Sequence, residues 1–504
     1  MTEIKTTYTP AKYLRGVKKI KSLIRNHDEF AILDACLNYL YAPAKDEIEH
    51  LQRHPWLVIL VIKWAFIGKS KIYYAREPLD NKRFMRILQA THKLGSLIKM
   101  PTSYTHLILF MRNMAYQQFI YQHSFSMLQL GRQLILFEKL PENHSLKTWF
   151  KKKHGLSCND FIELSFALLT HFINRNNHSV ELNWFRPLFK MYGEQTVYNF
   201  LSAISVDSSE LHSQLIQRNK SKGGYAEYYE QTPFVEFPLI KHGGKYICIH
   251  QNILYRCIEN FIYDSMKADD SSKFMNYFGD IFENYILIGL NYADITYMHE
   301  ADIKKHIPTS VKCVDYLIYG DDSNIFVDAK AVEMPYLGKI TDDPDVILGK
   351  VKNTAIKAIE QAFQLNELLL KSNNDKLPRF KEKSYLLVVT YKELYLGNGE
   401  VIYEALAQKQ IDVITNSVDP AACIDLSRIY FITIEDFDLA MSLVKNHGIQ
   451  IEDVFEKAIH NDRNAATRKF DFSQHISTLC ENVVIPDFLE KETSDMLEKF
   501  KVIV

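Results

Sequence analysis

The chain has 504 residues, of which 47% are hydrophobic, 12% aromatic and 24% charged. A length of this order divides into about two to four domains, and the composition excludes a largely disordered chain. Gly (18) and Pro (15) are too scarce for collagen-like or proline-rich architecture. With 60 basic and 61 acidic residues the net charge is −1, so an anionic partner has to be met by a local basic surface.

The seven cysteines are dispersed and form no CxxC pair, which argues against a zinc ribbon or a disulfide framework and points to a reducing cytoplasm. Met1 to Arg25 carries Lys and Arg without the apolar core of a signal peptide. The most apolar run, Trp56 to Gly68, is too short to span a bilayer and contains Lys63. It reads as a buried helix, and no membrane association is expected.

Residues 1–222 read as an all-helical region that senses a signal, meets a partner or binds nucleic acid. Met85 to Met100, for example, spaces its apolar residues at the helical period. Between Lys63 and Lys99 nine Lys or Arg face two acids, Glu77 and Asp80. Lys82 and Arg83 are the nucleic-acid candidates there, against the plainer reading of a solvated helix face. Lys147 to Lys153 interleaves charge with Trp149 and Phe150. Lys151 and Lys152 are candidates in that stretch, and an anchored surface loop is the competing reading.

Gln217 to Gly224 is polar and ends in glycine, as a linker does. Residues 223–269 follow as a connector, with a hairpin over Phe234 to Ile240 and Lys245 to His250 and then a helix. Residues 270–445 alternate helix and strand, an α/β pattern: a helix over Phe274 to Leu290, strands over Val311 to Tyr319 and Ile325 to Val332, a long helix from Val346 to Lys371, and strands at Tyr385 to Thr390 and Ile429 to Ile434. Residues 446–504 read as helical elements.

The stretch from Cys313 to Glu333 carries the chemistry. Two β-like runs flank Asp321-Asp-Ser-Asn324, which has turn composition. A two-residue loop at Asp321 and Asp322 sets Asp315 opposite Asp328, and a four-residue loop sets it opposite Lys330. Either even loop places Asp315, Asp328 and Lys330 on one face, because cross-strand partners and i, i+2 residues share a face. Two carboxylates held together out of water repel unless a cation lies between them, and clustered oxygen ligands suit Mg²⁺ or Mn²⁺. Asp321 and Asp322 read as turn residues, and Glu333 falls out of the alternation and reads as a bystander. A solvated hairpin face is the competing reading of the whole stretch.

Glu283 in Gly279-Asp-Ile-Phe-Glu283, then Asp315, then Asp328-Ala-Lys330 resembles the PD-(D/E)xK nuclease superfamily, which includes restriction endonucleases and Holliday-junction resolvases. The order of elements matches over residues 270–435, although Val314 stands where the superfamily motif has Pro. The resemblance implies a restriction-endonuclease-like core, a central mixed sheet flanked by helices. It implies metal ligation by Glu283, Asp315, Asp328 and the Ala329 carbonyl, with Lys330 catalytic. Gln361 on the following helix is a further catalytic candidate. Lys350 and Lys357, on the same polar stripe, are candidates for nucleic-acid binding. The implied activity is Mg²⁺- or Mn²⁺-dependent hydrolysis of DNA, acting as a homodimer or with a partner subunit. The layout resembles bacterial defence effectors that act against phage or plasmids. An RNA-cleaving nuclease with the same metal site and a non-catalytic nucleic-acid-binding scaffold are the alternatives.

Overall fold

The computed structural model describes residues 10–68, 75–122, 125–173, 177–221, 224–480 and 482–501. The fold is mixed α/β and divides into two units. One is built from residues up to Thr102, from Asn113 to Asp269 and from Met496 onward; the other from Ser103–Arg112 and Asp270–Asp495.

In the first unit the Pro55–Ile67 helix is apolar on all sides and buried nearly throughout, as its composition requires. Its one charge, Lys63, is 2% exposed. The Lys63 Nζ lies 3.0 Å from Glu227 Oε1 and 2.9 Å from Glu230 Oε2, so this buried ammonium is paired from two sides.

The expectation of an all-helical region over residues 1–222 is corrected by two short strands, β1 (Ser179–Glu181) and β2 (Ser205–Asp207). They flank the hairpin strands β3 (Leu239–His242) and β4 (Lys245–Cys248) in the order β1-β4-β3-β2. Three residues are too few to show an alternating pattern, so these strands are defined by the hairpin edges they pair with. The hairpin turns on Gly243 (φ 57°) and Gly244 (φ 78°), the left-handed pair that a tight primed turn needs. Its first strand begins at Leu239, because Pro233–Val235 forms a 3₁₀ turn and Pro238 has no N–H for a ladder.

Gln217 to Gly224 lies inside the first unit, with Lys222 and Gly223 outside the described residues. The division falls at Asp269/Asp270, where one helix (Gln251–Asp269) ends. The Asp270 side chain then caps the next (Ser271–Tyr292) by accepting from Lys273 N–H.

The second unit is organised by a five-stranded sheet, β5 (Tyr297–His299), β6 (Tyr316–Tyr319), β7 (Ser323–Lys330), β8 (Lys383–Thr390) and β9 (Ile429–Thr433), in sequential order. β5, β6 and β7 pair antiparallel; β7, β8 and β9 pair parallel. Parallel neighbours need crossovers, and the Lys357–Lys371 helix supplies the one from β7 to β8. β7 is the middle strand and is buried from Ser323 through Asp328.

The single helix expected from Val346 to Lys371 is interrupted. Pro344–Val351 and Lys357–Lys371 are joined by a wider π turn at Lys352–Ile356. Residues 446–495 belong to this unit. Among the described residues no helix is long and apolar enough to cross a membrane.

Candidate metal and catalytic site

β6 and β7 pair Tyr316 with Val327 and Tyr319 with Asn324. Continued by one residue, this register sets Asp315 opposite Asp328, the arrangement a two-residue loop dictates. Gly320 N–H donates to Ser323 O at 3.1 Å, leaving Asp321 and Asp322 exposed at the tip. At about 3.3 Å per residue they stand some 20 Å from Asp328, too far to share its ligands.

Asp328 is 0% exposed. Neither of its carboxylate oxygens accepts from a backbone amide. Its compensation is charge, with Lys330 Nζ 2.6 Å from Oδ2. Asp315 Oδ2 accepts from the Ala329 N–H at 2.6 Å, which ties the segment before β6 to the end of β7. Burial pushes the Asp315 carboxyl up to about 8, and the Asp328 charge pushes in the same direction. Burial likewise raises Asp328, against the pull of Lys330. Two like charges about 4 Å apart repel by roughly 4 kcal/mol at an effective dielectric near 20, so a dry pair of this kind takes up a proton or a cation.

Gln361 is 9% exposed, and its Nε2 donates to the Cys313 carbonyl. It braces the chain two residues before Asp315. Lys357, on the same helix, is exposed, and its charge counts among those that steady Asp328. Lys350 is exposed one helical segment earlier. Glu283 lies on the Ser271–Tyr292 helix, which packs against β7. Its Oε1 is 3.0 Å from His299 Nε2, and its backbone carbonyl accepts from the Tyr316 hydroxyl at 2.9 Å. The negative charge of Glu283 is also felt at Asp315. Ala329 is half-buried, with its N–H committed to Asp315. Glu333 pairs with Lys339 at 3.2 Å and Lys392 at 3.4 Å, a cluster of its own.

The basic candidates in the first unit separate in character. Lys82 is exposed at the start of the Asn81–His92 helix, whereas Arg83 pairs with Glu77 at 3.3 Å and donates to Pro78 O. Residues 69–74 of that stretch lie outside the described residues. Lys147 to Lys153 is helical, within Ser145–His154, and not a loop. Phe150 is buried there and Trp149 Nε1 donates to Asp269 Oδ2 at 2.8 Å, so the aromatic rings serve packing. Lys151 and Lys152 remain exposed.

Among the described residues one group of three acids brings its ligand atoms within 4.8 Å of one another: Glu393, Asp436 and Asp471. Glu283, Asp315 and Asp328 do not close that far. The tighter trio was not legible in the sequence, because its members stand far apart along the chain and two of them sit at helix starts. Thr433-Ile-Glu-Asp436 is a capping box, and Asp471 caps Phe472–Leu479. Those local roles are the signal the sequence does carry.

The chain matches no family model and no curated protein.

Proposed function

We propose that this chain hydrolyses phosphodiester bonds in DNA with the help of a divalent cation held between β6 and β7. The observation that carries the reading is Asp328: a fully buried carboxylate with no backbone amide on either oxygen, opposite the half-buried Asp315 carboxylate and 2.6 Å from the Lys330 ammonium. Lys330 brings one positive charge to two carboxylates that repel each other, and a hard cation fits the donor set that remains. Asp315 and Asp328 would hold Mg²⁺ or Mn²⁺, with Glu283 and the Ala329 carbonyl as further ligands. Such a cation supplies neutralisation of charge developing on phosphoryl oxygens and acidifies water.

The protein's own groups do the rest. Lys330, at the carboxyl end of β7, holds a proton where the attacking water and the scissile phosphate would meet. Gln361 keeps the Cys313 carbonyl, and with it the Asp315 segment, in place. Lys357 and Lys350 offer positive charge to the phosphate backbone. The arrangement of acid-bearing helix, antiparallel hairpin and parallel neighbour supports a restriction-endonuclease-like core.

The test is to incubate the full chain with Mg²⁺ and, separately, plasmid DNA and total RNA. Plasmid cleavage that stops with chelator and with Lys330→Ala is expected. Cleavage of RNA alone moves the reading to a ribonuclease, and undiminished plasmid cleavage by Lys330→Ala overturns the site.

A further inference from the structure

We propose that His299 is a positioning residue for the metal site, holding Glu283 ready as a ligand through one defined tautomer. The proposal rests on the metal-site reading above. His299 ends β5 and pairs in register with Tyr316, the first residue of β6 and the neighbour of Asp315. Its Nδ1 lies 3.1 Å from the Ala301 backbone nitrogen, and its Nε2 lies 3.0 Å from Glu283 Oε1.

A backbone N–H can only donate, so Nδ1 is the acceptor and carries a lone pair. The ring proton then sits on Nε2, aimed at the carboxylate. Both ring nitrogens are thus employed, one as the cap of the Glu300–Ile303 turn and the other as a fixed donor to Glu283.

Two further contacts hold this geometry. The Tyr316 hydroxyl donates to the Glu283 carbonyl at 2.9 Å, and the Tyr316 and His299 rings meet edge-on with centroids 5.2 Å apart. A glutamate on a helix face ordinarily samples several rotamers. Here Oε1 is committed to His299, and Oε2 carries no part of that bond. Outer partners of this kind typically change metal affinity by about 10–100-fold.

The two amide replacements separate the roles of the two nitrogens. His299→Gln places a donor where Nε2 was, and His299→Asn places an acceptor where Nδ1 was. Mn²⁺ binding to the full chain is read by calorimetry, with thermal unfolding of each variant as the control for folding. His299→Asn is expected to unfold like wild type and to weaken Mn²⁺ binding about 10–100-fold, whereas His299→Gln stays within a few-fold of wild type. Wild-type affinity in His299→Asn, or equal loss in both variants, overturns the proposal. Absence of Mn²⁺ binding in the unaltered chain, or binding untouched by Asp328→Asn, sinks the metal-site reading instead. Independently of any variant's folding, ¹⁵N spectra of the histidine-labelled chain must show His299 with an unprotonated Nδ1; a protonated Nδ1 overturns the proposal.

Discussion

Among the described residues of the second unit, two groups of buried and half-buried carboxylates differ in what their oxygens do. In Glu393, Asp436 and Asp471 each acid serves the backbone. Glu393 accepts from Tyr395 N–H at 2.9 Å, Asp436 from Thr433 N–H at 2.9 Å, and Asp471 from Ser473 N–H at 3.2 Å. In the β6–β7 pair Asp315 takes one amide, and Asp328 takes none. The tighter cluster is therefore explained by the helices and turn it fastens, and the β6–β7 pair leans mainly on Lys330. Proximity of acids alone would have ranked them the other way round.

The largest expected effect separates the groups by chemistry. Lys330→Ala should lower Mg²⁺-dependent plasmid cleavage by about 10²–10⁴-fold, the span of a lost proton-transfer group. No substitution in the Glu393 cluster should approach that loss, and a matching loss in Asp436→Asn would erase the contrast.

Metal-linked stability comes next. Mn²⁺ at about 100 times its Kd should stabilise the wild-type chain by about 2.7 kcal/mol in thermal or denaturant unfolding. Asp328→Asn should lose this gain and Asp436→Asn should keep it; the reverse result would place the cation in the other cluster.

The pH dependence sharpens the comparison further. Burial, with the Asp471 charge second, pushes Asp436 up to about 8, against about 3.9 for an unfolded aspartate. The folded state therefore binds the extra proton, and this group's contribution is full below about pH 4 and is lost as pH rises toward about 8. Asp436→Asn should flatten that decline in urea unfolding, with no change on adding chelator. Glu435 adds repulsion at Asp436 and Asp471, while His475 favours the Asp471 charge.

The smallest effect concerns Gln361. Gln361→Ala removes the donor to the buried Cys313 carbonyl and should cost about 1 kcal/mol in denaturant unfolding. It should also lower cleavage without weakening Mn²⁺ binding as Asp328→Asn does.

The hairpin was legible from its own residues, two apolar runs around Asp321-Asp-Ser-Asn324, but whether two or four of these form the loop, and hence the register, was not. Once that register holds, the facing of Asp315, Asp328 and Lys330 follows from the two-residue repeat. The helix after Lys330 was legible in extent but not in phase. The π turn at Lys352–Ile356 inserts a residue, so Lys350 and Gln361, set on one stripe by an unbroken helix, no longer share it. Thr354 and Gln361 are buried while Lys350 and Lys357 are exposed. His299 gave no warning at all. A single histidine between Met298 and Glu300 fits no spacing rule, and its part depends on a strand pairing and a helix neighbour.

Asp328 and Lys330 ride on a strand bonded on both edges, to β6 on one side and β8 on the other. Reactive groups are more often carried by loops that open locally at small cost. Here the peptide N–H groups of Phe326 to Asp328 should be among the last to trade hydrogen for deuterium, released only when the whole unit unravels. A centre so anchored offers a stiff template, and any adjustment to a bound cation or ligand falls to the side chains.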